Sequence, residues 1–344
     1  MLKLLITRKL PDPVLTRARE MFDVSVRDNT APLSRDELTQ SLIDHDVVLP
    51  TLGDAYSADI FAEVPEKRTK LLANFGVGYN HIDATAARAA GIEVTNTPGA
   101  VTDATADIAL TLMLMTCRRA GEGERMLRSG QWEGWHPTQL LGLHMSGKTL
   151  GVVGMGRIGQ AIAQRAHFGF GMAVKFYNRS LKKVPFPAEQ VAQLMDLAAQ
   201  VDVLVVAVPG GGETHHLIDA AVLKEMQPHA HVVNIARGDV VNETDLIDAL
   251  STGRIAGAGL DVYEFEPKVP QALIDMENVT LLPHLGTAAL EVRTAMGLMA
   301  VDNAIAFAKV SLCPTQFKPR GHPGAVSVRG RTDRGAATIV CHCS

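Results

Sequence analysis

Apolar positions along the chain gather into short clusters separated by longer amphipathic stretches. LKLLIT at 2–7, DVVLP at 46–50, LLANF at 71–75 and IEVTNT at 92–97 each read as a strand, with helical stretches between them. That alternation is the rhythm of a parallel βα sheet. Between the last two clusters, GVGYNHIDATAARAAG sets a glycine-rich turn before an alanine-rich helix that Gly91 ends, so a first α/β unit closes near Pro98. From Val101 to Arg119 the pattern predicts one long helix capped by Thr102. Asp103 and Asp107 near its start and Arg118 and Arg119 at its end suit the helix dipole. A loop-rich bridge with Trp132, Trp135 and Pro137 follows. Six more apolar runs come after it: TLGVV, AVKFY, VDVLVVAVP, HVVNIA, AGAGLDVY and VTLLP. They are nearly continuous, as strands covered on both faces by helices must be. The fold class predicted is α/β with two doubly wound parallel sheets, the second starting in mid-chain. No repeat of solenoid period is visible. After Asn303 the pattern decays, and from about Lys309 the chain is rich in Gly, Pro and Arg without periodicity, which predicts a poorly ordered tail.

Composition narrows the function classes. The 344 residues, 47% hydrophobic and 20% charged, supply an ample core and favour two domains. A net charge of -4 gives no general attraction to nucleic acid or an anionic membrane, so any anion site has to be local. The opening MLKLLITRKLPDP breaks too early for a secretory signal. The longest apolar stretch, Ile108 to Cys117, is shorter than the roughly 18 residues that span a bilayer. Neither export, nor a membrane, nor a nucleic-acid partner is expected. Cys117, Cys313, Cys341 and Cys343 are too few and too unevenly placed for a disulfide framework, which points to the cytoplasm. Cys341-His342-Cys343 lacks a second ligand pair for structural zinc, and no metal is expected.

The chemistry begins directly after TLGVV, where Gly154-Met155-Gly156-Arg157-Ile158-Gly159 leads into the helical stretch QAIAQRAHF. In a strand-loop-helix context Gly154 permits the tight turn, Gly156 lets a pyrophosphate approach the backbone, and Gly159 allows close helix packing. Phosphate oxygens then meet the free N–H groups of the helix start. The next strand, AVKFY, ends about 20 residues beyond the last glycine, where a site selective for NAD carries an acidic residue. Here stand Asn178, Arg179 and Ser180. With no carboxylate to repel a 2′-phosphate, and a guanidinium and a hydroxyl to bind it, NADP is the expected cofactor, NAD remaining possible. The competing reading makes Arg179 a solvated surface charge.

Ligands of open α/β sheets bind beyond the carboxyl ends of the strands. HVVNIA delivers Arg237 there, GLDVY delivers Glu264 and Glu266, and VTLLP delivers His284. Reduction of a 2-oxo acid needs a planar cation for the carboxylate and carbonyl, which Arg237 offers. It also needs a proton donor as hydride arrives, which His284 offers, and a carboxylate beside that imidazole, for which Glu266 is the choice. Singly, each has a bland reading as an ion pair, a loop carboxylate or a core histidine. Their placement after successive strands favours the functional one.

These blocks resemble the D-isomer-specific 2-hydroxyacid dehydrogenases, in particular the glyoxylate and hydroxypyruvate reductases. GVGYNHID, VTDATADIALTLML, GKTLGVVGMGRIGQ, NIARG, GLDVYEFEP and LLPHLGTA carry the resemblance in order and spacing from about Leu71 to Asn303. It implies Arg237, Glu266 and His284 as the catalytic trio, and the backbone at Val77 and Gly78 as the cradle of the substrate carboxylate, with Leu52 and Gly53 on a facing loop. It implies Thr105 and Asp261 on the nicotinamide side, and further cofactor contacts from Arg157, Ile158, Val208, Pro209, Thr214, Ile235, Ala236 and Gly286. It also implies a Rossmann NADP-binding domain at 99–286 inserted into a flavodoxin-like substrate domain of 1–98 plus 287–308. A homodimer arm at about 101–145 is implied as well, with Trp135 reaching the partner's active site. Leu52, Trp135 and Leu285 are expected to set substrate size. The stretch 309–344 departs from the family's usual ending; a frameshifted or appended end is the expectation, with truncation after Ala308 leaving turnover intact. Rival readings are a phosphoglycerate or 2-ketogluconate type of dehydrogenase, and a dinucleotide-sensing corepressor that uses the same fold as a binding scaffold.

Overall fold

The computed structural model describes residues 1–312. The tail expected from Lys309 lies outside the described residues apart from its start, which continues the last helix, and Cys313, Cys341 and Cys343 lie outside them too. The chain divides into two compact units, Met1–Ala100 with the segment from Ala289 onward, and Val101–Ala288.

The first unit is a five-stranded sheet of β1 (Leu2–Ile6), β2 (Phe22–Val26), β3 (Val47–Leu49), β4 (Leu71–Ala73) and β5 (Glu93–Thr95). The strands lie in the order β2-β1-β3-β4-β5 and all pair in parallel. Side chains alternate across a strand, so three buried residues serve two cores. Val47 and Leu49 pack with Leu4, Ile6 and Leu71 under the helices Asp12–Arg19 and Leu290–Leu312. Val48 faces the opposite way, with Leu72, Leu38, Ile60 and Phe61. The last helix buries Ala300, Val301, Ala304, Ile305 and Ala308, a stripe at helical spacing. It also runs so close to Val14 that a Cβ on Gly297 would lie 2.6 Å from a Val14 methyl. The helix therefore persists to Leu312, beyond the decay of pattern seen after Asn303.

The second unit is a seven-stranded sheet of β6 (Thr149–Val153), β7 (Ala173–Tyr177), β8 (Glu189–Gln190), β9 (Val203–Val206), β10 (His231–Asn234), β11 (Gly257–Leu260) and β12 (Val279–Leu281). Its order is β12-β11-β10-β9-β6-β7-β8, again parallel throughout. Every residue of β9, β10 and β11 is buried, as continuous apolar runs require. Strand order reverses at β6, which pairs with both β7 and β9 and so forms the topological switch point. These are the two doubly wound α/β sheets that the apolar pattern predicts. Among the described residues no helix is long and apolar enough to cross a membrane.

Four local expectations are corrected. The helix expected over Val101 to Arg119 is observed as Thr102–Cys117, but a further helix, Ala120–Arg128, follows the left-handed Arg119 (φ +52°) where a loop-rich bridge was expected. Thr102 is not the cap of the first helix but its first residue; Val101 precedes it, and no side chain caps the start. β2 and β8 are additional strands. β2 buries only Phe22 at the sheet edge, and β8 holds two polar residues, so neither leaves an apolar cluster to read.

Candidate active site

The glycine loop after β6 is shaped by what a side chain would strike. Gly154 has φ +98°, and a Cβ there would lie 2.7 Å from Val208 and 2.8 Å from the Ala207 carbonyl oxygen. A Cβ on Gly159 would lie 2.1 Å from the Gly154 oxygen, so the helix Arg157–Phe170 can sit directly on the strand only with glycine there. Gly156 differs from both: nothing stands within 4 Å of its missing Cβ. That open side adjoins the first-turn N–H groups of the helix, at Arg157 and Ile158, which have no intrahelical acceptor. A pyrophosphate fits there, so the loop passes the test of a dinucleotide cradle.

Beyond β7 the turn 178–182 is built by amides. Asn178 accepts from Met155 N–H at 3.3 Å and donates to the Ser180 oxygens, while Gln190 donates to the Asn178 and Ser180 carbonyls at 3.1 and 3.0 Å. Arg179 projects from this frame, 73% exposed, and is ion-paired to Glu213 from the loop after β9. The strand end itself carries no acid, but Glu213 brings a carboxylate to Arg179 from 34 residues away. On that same loop Thr214 donates to the Pro209 carbonyl at 2.7 Å, and Val208 is half-buried against the core.

At the carboxyl ends of β10, β11 and β12 the structure brings His284 and Glu266 together. Nδ1 of His284 lies 2.9 Å from Oε2 of Glu266, and the other Glu266 oxygen accepts from Tyr263 N–H at 3.1 Å. His284 sits at φ +54°, a left-handed conformation unusual for a residue with a Cβ. Buried Asp261 holds it there: its carbonyl accepts from His284 N–H at 3.0 Å, and its carboxylate from Leu285 and Gly286 N–H at 2.6 and 2.8 Å. Thr105 donates to the Gly286 carbonyl at 3.2 Å, closing the turn from the other side. Burial raises the Asp261 pKa even against those two N–H groups. For Glu266 the balance is reversed. Burial pushes its carboxyl up, but the His284 bond and charge, with help from Tyr263 N–H and Arg237, hold it below the ordinary value.

Arg237 follows the buried Ile235 and Ala236 at the end of β10. Asn234 shapes that turn, accepting from Ala236 N–H at 3.0 Å and donating to the Arg237 carbonyl at 2.9 Å. Burial lowers the Arg237 pKa, and the charges of Glu266 and Asp239 push it back up. Gly238 comes next, and a Cβ on it would fall 1.8 Å from the Tyr263 carbonyl carbon. The backbone carrying Arg237 is thus pressed against the turn carrying Glu266. Glu264 points elsewhere, to His216 Nε2 at 3.0 Å, and its N–H is held by Glu243. His215, His216 and Glu264 place ligand atoms within 4.8 Å of one another. However, Asn242 fills the second nitrogen of His216, and its own oxygen caps the helix Glu243–Ser251. The group acts as a brace for the loop that ends in Glu266.

In the first unit, the turn after β4 turns its carbonyls inward. Asn74, fully buried, donates to the Gly76 and Gly78 carbonyls, both at 3.1 Å, and Asn96 donates to the Val77 carbonyl at 2.9 Å. Thr51, Leu52 and Gly53, the last at φ +96°, are held by Arg8 and by buried Asp54, which accepts from Thr51 N–H at 2.8 Å. Leu52 and Val77 are partly exposed, and Trp135 in the bridge of the second unit is 80% exposed. Asn96, Asp54, Gln190 and Glu213 escape a reading of motifs, whereas Asn74 stands two residues before GVGYNHID and Gly238 closes NIARG.

Comparison with known proteins follows the same residues. The family model described as D-isomer specific 2-hydroxyacid dehydrogenase, NAD binding domain, matches residues 110–286. The glyoxylate reductase of Thermococcus onnurineus is 42% identical over 320 residues, 91% of this chain and 95% of its own. The glycerate dehydrogenase of Hyphomicrobium methylovorum is 37% identical over 304 residues, 87% and 94% of the two chains. The crystal structure of the NADPH-dependent glyoxylate/hydroxypyruvate reductase from Sinorhizobium meliloti with NADP and malonate superposes with a TM-score of 0.79. It is 36% identical, with 89% of this chain and 93% of that one covered.

Proposed function

Because the chain belongs to the D-isomer-specific 2-hydroxyacid dehydrogenases, we propose that it reduces glyoxylate or hydroxypyruvate to the 2-hydroxy acid with NADPH. The observation that carries this is the 2.9 Å bond between His284 and Glu266 at the strand ends, where a proton donor must stand. Bound in the glycine loop, the nicotinamide cofactor supplies the hydride. As charge grows on the carbonyl oxygen, His284 gives up a proton, and Glu266 keeps the imidazole oriented. Arg237 offers two parallel N–H groups to the substrate. In the first unit, taken by itself, the main-chain N–H groups at Val77 and Gly78 suit a carboxylate, since the carbonyls of that turn are held by Asn74 and Asn96. The NADPH preference rests on Arg179 and Ser180 at the turn after β7, and on the NADP bound by the Sinorhizobium enzyme.

The quaternary part of the proposal is a homodimer in the cytoplasm. The helix Ala120–Arg128 buries none of its residues, and Leu127, Trp132, Trp135 and Leu141 around it are exposed. Such a patch suits a second copy.

The test is a panel of 2-oxo acids assayed with NADPH and with NADH. Glyoxylate or hydroxypyruvate should give the highest kcat/KM, with NADPH preferred. No oxidation of either cofactor with any acid in the panel would favour a binding scaffold instead, and equal or better use of NADH would remove the cofactor preference.

A further inference from the structure

We propose that Glu213 is a cofactor-specificity residue: it occupies the Arg179 guanidinium until a 2′-phosphate displaces it, so selectivity is a contest between two anions for one cation. The inference rests on the reading of Arg179 as the 2′-phosphate ligand. Three observations support it.

The first is that the frame around Arg179 is fixed while its side chain is not. Gln190 and Asn178 tie down the turn through its main chain, and Glu213 is the one side-chain partner that Arg179 has among the described residues. The second is that neither charge is locked by burial. The two side chains are 73% and 78% exposed, and an exposed pair of this kind contributes little because solvent screens it. A phosphate with close to two charges and three strong acceptor oxygens outcompetes a single carboxylate for such a partner. A ribose hydroxyl has no charge with which to do so. The third lies in how Glu213 is mounted. Thr214 anchors the end of the loop on the Pro209 and Gly211 carbonyls, and Gly210-Gly211-Gly212 stand just before Glu213. Gly211 is at φ +136°, and nothing lies within 4 Å of a Cβ on Gly211 or Gly212. The Glu213 side chain, 78% exposed, therefore has a defined station with solvent beside it into which it can withdraw.

Equilibrium binding tests this without turnover. NADPH and NADH titrations followed by nucleotide fluorescence, and adenosine 2′,5′-bisphosphate as a competitor lacking the nicotinamide, would be measured on the wild type, Glu213→Gln and Arg179→Ala. Glu213→Gln should bind NADPH and the bisphosphate roughly two- to fivefold more tightly and leave NADH unchanged. The gain should shrink in high salt, where exposed charges are screened, and it should vanish in the double variant. Unchanged or weaker NADPH binding by Glu213→Gln overturns the proposal. Arg179→Ala separates the two layers. If it leaves NADPH affinity intact, the assignment of Arg179 falls, and the contest with it. If it weakens NADPH while Glu213→Gln brings no gain, only the role of Glu213 falls.

Discussion

At the scale of single residues the site is a set of donors and acceptors already spoken for, which leaves His284 Nε2 as the free end of the His284–Glu266 pair. Nδ1 is bound to Glu266, and Glu266 spends its other oxygen on Tyr263 N–H. Replacing His284 by Ala should lower kcat by roughly 10²–10⁴, the usual worth of a positioned proton donor, with NADPH affinity unchanged; a matching loss of NADPH affinity would contradict the role. The same pair has a consequence for stability. The Glu266 pKa is depressed from 4.5 in the folded chain, so its stabilising contribution is complete above that value and disappears as pH falls through the depressed one. The gap in thermal midpoint between wild type and Glu266→Gln should therefore narrow as pH is lowered from about 6 to 3. A gap that stays constant or widens would mean that the His284 bond does not stabilise the carboxylate. Gly238 is a residue of another kind, needed for what it lacks. Gly238→Ala would set a methyl 2.2 Å from Glu264 N and should cost at least about 1–3 kcal/mol in denaturant unfolding, together with a loss of kcat.

At the scale of elements, what could be read from the sequence follows a physical rule. A strand buried on both faces, such as β9 or β10, writes itself as an unbroken apolar run, and a glycine loop between a strand and a helix writes itself as GMGRIG. The α/β class and the candidates Arg237, Glu266 and His284 were legible on that basis. β2 buries one residue and β8 none, so FDVSV and EQ carry no such mark, and the helix Ala120–Arg128, which buries no residue, leaves no apolar stripe on the core to announce it. The supporting residues were illegible for a different reason. Glu213 reaches Arg179 across 34 positions and Asn96 reaches Val77 across 19, contacts that exist only once the chain is folded. Asn74 puts this into testable form. Its amide holds the Gly76 and Gly78 carbonyls inward, so Asn74→Ala should raise KM for the 2-oxo acid several-fold or more while leaving kcat and NADPH affinity near wild type. An equal drop in kcat with KM unchanged would assign Asn74 to the chemical step instead.

At the scale of the whole molecule, the division of labour follows where the cores lie. The two hydrophobic clusters on either face of the seven-stranded sheet, from Ala106 to Leu282, draw every member from Val101–Ala288. The five-stranded sheet is otherwise arranged, because one of its faces is covered from both ends of the sequence. Ala300, Val301, Ala304, Ile305 and Ala308 join Leu4, Ile6 and Val14, and Asn303 donates to the Asn96 carbonyl across 207 positions. A chain cut at residue 100 exposes that apolar face to water, at roughly 25 cal/mol for each Å² left uncovered. A fragment of residues 101–288 keeps both of its cores and the whole glycine loop. Expressed alone, it should unfold cooperatively and bind NADPH, while a fragment of residues 1–100 should show no cooperative transition until the segment 289–312 is joined to it. Loss of NADPH binding by a cooperatively folded 101–288 fragment would show that the cradle after β6 does not hold the dinucleotide by itself. A cooperative transition in 1–100 alone would show that its sheet stands without the last helix.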